Sequence, residues 1–229
     1  MWKTDYMEIH EKQYQYKKEN GRSGWNDEKD VPTFLNIIDN ALRKRWIKKL
    51  SKLLELGCGD GSNTVALAAK GFDVYGIDIS PTAITWAQEK AKKQGLKGNF
   101  QVGNVTELPF IDNFFDLVLD ADCSHCIIGN DRKLFFSNAF RVLKSDGLFI
   151  MMARCGEPKS YVKRFDGTSG FDPVTRCLVK DGIAERYIGL SESILEEISS
   201  AGFRTLHWEI VTYEELNLPD EIIVYSIKP

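Results

Sequence analysis

No apolar run in these 229 residues approaches membrane-spanning length, so an integral helical membrane protein is not expected. The opening stretch, MWKTDYMEIHEK, lacks the apolar core of a signal peptide. Cysteines number five, an odd count without framework spacing, which argues against a disulfide scaffold and for a reducing compartment. A cytoplasmic location is the resulting expectation. Nor is there a basic excess. The net charge of −3 and a pI near 5.7 argue against a dedicated nucleic-acid binder. Basic patches such as Arg43-Lys44-Arg45 with Lys48 and Lys49 read as the wet face of an amphipathic helix. Internal repeats and low-complexity tracts are missing too. What remains is 43% hydrophobic and 28% charged, a composition suited to one globular domain with a sizeable core.

Along the chain, residues 5–18 form a weak, aromatic-rich helix candidate, and a polar loop, GRSGWNDEKD, follows at 21–30. Pro32 then opens a helix in which Phe34, Ile37, Ile38, Ala41 and Leu42 share a face. From Lys52 strands alternate with helices. Strands are expected at Leu53–Leu56, Asp73–Ile77, Asn99–Val102, Phe115–Leu119 and Leu148–Ala153. Helices run from about Ser62, from Pro81 behind a Ser80 cap, and from an Asp131 cap. That rhythm predicts an α/β fold, a mostly parallel sheet covered on both faces. Residues 156–187 break it and read as a long irregular insertion, of the kind that serves as a lid. Ser193 and Glu196 read as a capping box, Gly202 ends that helix, and two strands at about Arg204–Thr212 and Glu221–Ile227 finish the chain.

In an open parallel sheet, ligands bind beyond the carboxyl ends of the strands. Past the first strand lies Glu55 with the turn Gly57-Cys58-Gly59-Asp60-Gly61, where bare backbone can approach a ligand and a helix starts at once. Asp78 follows about twenty residues after the turn, placed to accept hydrogen bonds from ribose hydroxyls. A dinucleotide turn would need a glycine at 62, where this chain has Ser62. A phosphate loop would need a Lys-Ser or Lys-Thr pair, which is missing.

The segments E-L-G-C-G-D-G (55–61), Y-G-I-D-I-S (75–80), G-N-V-T-E-L-P-F (103–110), F-D-L-V-L-D (115–120) and R-V-L-K-S-D-G-L-F-I (141–150) resemble the class I S-adenosylmethionine-dependent methyltransferases in order and spacing. The resemblance covers roughly residues 50–153. It implies a doubly wound, Rossmann-like sheet of seven strands, in the order 3-2-1-4-5-7-6 with the last strand antiparallel. It implies S-adenosylmethionine as cofactor and S-adenosylhomocysteine as product. It also implies roles: the Gly57–Gly61 backbone, Cys58 and Gly59 included, cradles the methionine part; Asp78 holds the ribose; Ile79 packs on the adenine. Asn104 faces the adenine amino group with the Val105 backbone beside it, and Asp120 sits near the sulfonium and amino end. Glu55 completes the set. The GRSGWN segment is similar to the N-terminal part of thiopurine- and halide-type methyltransferases, so Trp25 either covers the cofactor or anchors its own segment on the core.

For chemistry, the candidate base is His125, just past the fourth strand; packed histidine is the alternative. His10 and His207 have no comparable placement. Cys123, His125, Cys126 and Cys155, with Cys177 in the insertion, are core fillers, a thiophilic or metal-binding group, or redox thiols, although the spacing is no standard zinc signature. Arg154, Lys159, Lys163, Arg164, Arg176 and Lys180 would give an insertion folded over the site a cationic roof, favouring a carboxylate- or phosphate-bearing substrate. The expected organisation is one domain: a helical cap (1–50), a cofactor-binding core (51–155), a lid-like insertion (156–187) and a C-terminal helix with strands (188–229). The expected activity is methyl transfer to a small molecule, with no nucleic-acid or membrane partner. A thiol or metalloid acceptor and a non-catalytic cofactor-binding protein are the alternatives.

Overall fold

The computed structural model of the chain describes residues 5–22, 24–25, 31–48, 51–158, 163–164, 166–212 and 219–229. The expectations for Lys49, Lys159 and most of the polar loop at 26–30 lie outside these residues.

Helices α1 (Tyr6–Glu19) and α2 (Val31–Arg43) precede the alternating core: β1 (Lys52–Leu56), α3 (Ser62–Ala69), β2 (Asp73–Asp78), α4 (Pro81–Lys93), β3 (Asn99–Val102), β4 (Phe115–Ala121), α5 (Asp131–Val142) and β5 (Leu143–Cys155). Strands β6 (Gly170–Asp172), β7 (Cys177–Lys180) and β8 (Ile183–Tyr187) follow, then α6 (Ser191–Ser200), β9 (Arg204–Val211) and β10 (Asp220–Ile227). The main sheet has seven strands in the order β3-β2-β1-β4-β5-β10-β9. β10 runs antiparallel to both of its neighbours. This is the order that the resemblance implies.

The strands read as unbroken apolar runs because both sheet faces are covered. Side chains alternate across a strand. On one face Leu54, Leu56, Ile77, Val118, Phe149 and Met151 pack against α5 and α6 through Phe135, Phe136, Ala139, Ile194 and Ile198. On the other, Leu53, Val74, Leu117, Leu119, Ile150 and Tyr225 pack against Phe34, Ile37, Ile38 and Ala41 of α2 and Leu67 of α3. The chain order reverses between β1 and β4, which are hydrogen-bonded neighbours. Their carboxyl ends therefore open the crevice in which such folds bind ligands.

Several local expectations differ from the structure. Residues 156–187 are not irregular throughout: β6, β7 and β8 form a separate antiparallel sheet with its own small core of Cys177, Val179 and Ala184. β5 begins at Leu143 rather than Leu148, since the Ser-Asp-Gly stretch is absorbed as a register shift opposite β4. The capping box at Ser193 does not form. Ile194 N–H already donates to the Leu190 carbonyl at 3.1 Å, so α6 starts earlier, at Ser191. Asp131 is the first residue of α5 rather than its cap, and its carboxylate instead accepts the Tyr6 hydroxyl at 2.9 Å.

That last contact helps to moor α1. The Tyr6 hydroxyl also accepts the Ile128 N–H at 3.0 Å. Glu11 caps α4 from outside, accepting the Ser80 hydroxyl (2.5 Å), the Thr82 hydroxyl (2.6 Å) and the Thr82 N–H (3.2 Å). A carboxylate there also complements the positive end of the helix dipole. Tyr14 is buried against Trp86 of α4. Helix α1 is thus tied to both α4 and the start of α5. Glu11 → Ala should cost about 1 kcal/mol, as loss of a cap does. Amides of α1 should then exchange several-fold faster, and unchanged exchange would contradict the mooring. Burial opposes ionisation of Glu11, but the Ser80 and Thr82 hydrogen bonds outweigh it and hold its pKa below the ordinary 4.5. Its contribution is therefore present above pH 4.5 and fades as the pH falls through the lowered value.

Candidate active site

A cavity of about 360 Å³ opens at the carboxyl ends of β1 and β4. Its lining includes Trp25, Glu55, Gly57, Cys58, Gly59, Asp78, Ile79, Asn104, Val105 and His125, which are the expected site residues apart from Asp120.

The turn after β1 is built on positive φ angles, +64° at Gly57 and +55° at Gly59, which side-chain-bearing residues rarely adopt. The space behind them is filled. A Cβ on Gly57 would lie 2.5 Å from Cys123 Sγ, and one on Gly59 would lie 2.6 Å from the Tyr14 hydroxyl. Asp78 fixes the turn from the neighbouring strand. One carboxylate oxygen accepts the Gly59 N–H at 2.9 Å, and the other accepts the Ser80 N–H at 2.9 Å. Burial raises the Asp78 pKa, and these two N–H groups oppose the shift. Each oxygen keeps a further lone pair for a hydroxyl ligand.

Glu55 lies on the cavity wall and is held by Asn63 Nδ2 (3.3 Å) and by a short contact from the Thr64 hydroxyl. Burial pushes its pKa up to about 7 against those hydrogen bonds. Asn104 spends one lone pair of its carbonyl on the Thr106 N–H (2.9 Å), forming an Asx turn that presents the amide to the cavity. Trp25 both lines the cavity and anchors its segment. Its N–H donates to Asp60 (3.2 Å) and its ring packs on Tyr14, with centroids 5.1 Å apart.

Asp120 is placed differently from expectation. It is fully buried, does not line the cavity, and accepts the N–H groups of Cys123 (2.8 Å) and Ser124 (3.0 Å). Burial pushes its pKa up to about 6. Its job is to hold the loop after β4, including the 3-10 turn Ser124–Cys126. Arg132 pins the same loop from below, donating to the Ser124 carbonyl (2.6 Å) and the Ile127 carbonyl (3.2 Å) while pairing with Glu197.

His125 lies on the cavity wall with Nδ1 3.3 Å from Asp122. Burial would lower its pKa, but Cys126 and Asp122 outweigh burial and push it up to about 9. At neutral pH His125 is therefore an imidazolium, a donor and a charge rather than the proton acceptor expected from sequence. Residues that sequence reasoning missed complete this part of the cavity. His10 and Tyr6 come from α1, and Arg186 comes from β8. His10 was not expected at the site, yet it lines the cavity and helps lower the pKa of the Cys126 thiol.

The cationic roof is smaller than expected. Arg154 and Arg186 reach the cavity, whereas Arg176 is spent on the Ile188 and Gly156 carbonyls (2.8 and 2.6 Å) and Lys163 on Asp166 (3.0 Å). Arg154 itself pairs with Glu221 at 2.9 Å. The cysteines also divide. Cys58, Cys123 and Cys126 line the cavity, while Cys155 and Cys177 are buried away from it. Among the described residues no three His, Cys, Asp or Glu side chains form a metal-binding group.

Residues 54–151 match the methyltransferase domain family. A norajmaline N-methyltransferase from Rauvolfia serpentina is 39% identical over 114 residues, 46% of this chain and 38% of that enzyme. The chain thus spans well under half the length of that relative. An uncharacterized methyltransferase from Schizosaccharomyces pombe is 30% identical over 115 residues, 50% of this chain and 79% of that protein. The structure of a 1,6-didemethyltoxoflavin-N1-methyltransferase from Burkholderia thailandensis, solved with 1,6-didemethyltoxoflavin and S-adenosylhomocysteine bound, superposes with a TM-score of 0.69 at 19% identity. It covers 97% of this chain and 88% of that one, a likeness of fold.

The imidazolium assignment predicts that His125 titrates near pH 9 by NMR, and that Asp122 → Asn brings the titration down toward the ordinary 6.5. Because the pKa is raised, the associated stability is complete below 6.5 and is lost as the pH rises through about 9. A titration at or below 6.5 in the unaltered protein would contradict the ion pair.

Proposed function

This chain belongs to the class I S-adenosylmethionine-dependent methyltransferases, and we propose that it transfers a methyl group from that donor to a small-molecule acceptor. The observation that carries the reading is the conjunction of Asp78 and the Gly57–Gly59 turn on one cavity wall. A buried carboxylate there organises the backbone and still has acceptor capacity for ribose hydroxyls. The amide of Asn104 and the Val105 backbone suit an adenine edge, and Ile79 its face. Glu55 suits an ammonium, which would draw the pKa of its carboxyl back down. When bound, S-adenosylmethionine supplies a methyl carbon already activated by a sulfonium, so the protein's task is to align the acceptor with it.

The part of the cavity lined by Tyr6, His10, His125, Cys126, Arg154 and Arg186 would receive the acceptor. Helix α1 walls one side of it, and β8 supplies Arg186 on another. A concave site of about 360 Å³ favours a metabolite over a folded macromolecule. With His125 already protonated, the site suits an acceptor that presents a free lone pair at neutral pH. A weakly basic amine, one that is unprotonated near pH 7, is such an acceptor, in keeping with relatives that are named for N-methylation. An alcohol would need a base that His125 does not supply at that pH.

Calorimetry tests the reading. S-adenosylhomocysteine should bind and NADH should not; the reverse would refute it. Asp78 → Asn removes a charged acceptor and should weaken S-adenosylhomocysteine about 10–100-fold. Unchanged affinity with an intact fold would refute the ribose assignment.

A further inference from the structure

We propose that Cys123 and Cys126 are a redox-active dithiol that closes to a disulfide on the cavity wall and, once closed, excludes the S-adenosyl cofactor. The exclusion rests on the cofactor reading above; the dithiol itself does not.

The geometry is already that of a closed turn. Cys123-Ser124-His125-Cys126 is a C-x-x-C segment, and the Cys126 N–H donates to the Cys123 carbonyl at 2.8 Å. Such a turn keeps its end Cα atoms within about 7 Å, the reach over which disulfides form. Both ends of the turn are clamped, by Asp120 on the Cys123 and Ser124 N–H groups and by Arg132 on the Ser124 and Ile127 carbonyls. Both thiols are free and line the cavity, where a small molecule can reach them.

The two thiols also differ in charge. His125, Arg186 and His10 surround Cys126; burial opposes its ionisation, but these groups outweigh it and hold the thiol well below its ordinary value. Cys123 is pushed well above by burial and then by Asp120. One thiol is thus the nucleophile and the other a protonated resolving group. The remaining cysteines are poor competitors. Cys58, Cys155 and Cys177 are buried, and burial raises all three, Cys155 to about 12.

The reaction needs a low-molecular-weight disulfide as oxidant. The Cys126 thiolate attacks one of its sulfurs, forms a mixed disulfide and releases one thiolate. Cys123 then passes its proton to that thiolate and attacks Cys126 Sγ, and the second thiolate leaves and takes a proton from solvent. Two protein thiols are oxidised, and one small disulfide is reduced to two thiols. In the reduced form Cys123 Sγ packs directly behind Gly57. Turning toward Cys126 removes that support from the glycine turn. It also removes the Cys126 charge that faces His125 and Arg186.

The test is intact-mass spectrometry with peptide mapping on the reduced protein after incubation with oxidised glutathione, followed by calorimetry. The expected result is loss of two hydrogens mapped to Cys123–Cys126. Cys123 → Ser should instead trap a glutathione adduct on Cys126, and Cys126 → Ser should give neither. S-adenosylhomocysteine should bind the oxidised protein roughly tenfold more weakly or worse, with recovery on reduction. No disulfide, or preferential modification of Cys58, Cys155 or Cys177, overturns the dithiol. Equal affinity of the two forms overturns the exclusion. Failure of the reduced protein to bind S-adenosylhomocysteine would overturn the cofactor reading and the exclusion with it, while the mass result still decides the dithiol.

Discussion

The Asp78 carboxylate is the contact on which the site depends. It sits at the end of β2 and takes the Gly59 N–H with one oxygen and the Ser80 N–H with the other. The first bond sets the turn after β1, and the second starts α4. The Gly59 carbon faces the Tyr14 hydroxyl. A side chain at 59 would therefore disturb the turn and the seating of α1 together. A buried carboxylate is costly unless hydrogen-bonded. Here the backbone donors that stabilise it are the ones that shape the cavity.

Around that contact the cavity lining carries both signs of charge. The wall with Glu55, Asp78 and Asn104 is acidic and polar, suited to an adenosyl group bearing an ammonium. A second stretch of the wall holds Arg154, Arg186 and the His125 imidazolium against Asp122 and Cys126. This second wall is assembled from four separate stretches of chain, α1, the loop after β4, the end of β5, and β8. Its loop is supported from beneath by Asp120 and Arg132, neither of which lines the cavity.

Much of the first wall was legible in the sequence because its signals are local. Apolar runs ending at Glu55, at Asp78 and beside Asn104 mark strand ends, and three glycines in five residues mark a turn with unusual backbone angles. The strand order came from resemblance rather than from any local pattern. The second wall was less legible. His10 and Tyr6 reach the cavity only because Glu11, Tyr6 and Tyr14 dock α1, and no spacing in residues 5–19 announces that docking. Arg186 belongs to a short strand whose partners are other short strands, so periodicity in 156–187 is too weak to read. Asp120 looked like a cavity residue because it ends an apolar strand. The fold turns it inward, since the next two N–H groups need an acceptor in a buried loop.

The central claim is that the wall built by Asp78 and the glycine turn is a cofactor-binding surface. Amide hydrogen exchange with and without S-adenosylhomocysteine tests it most directly. Exchange should slow at residues 57–62, 78–80 and 103–106, with little change in β6 and β7. Unchanged exchange across those three segments at saturating ligand, or protection confined to 170–187, would contradict it.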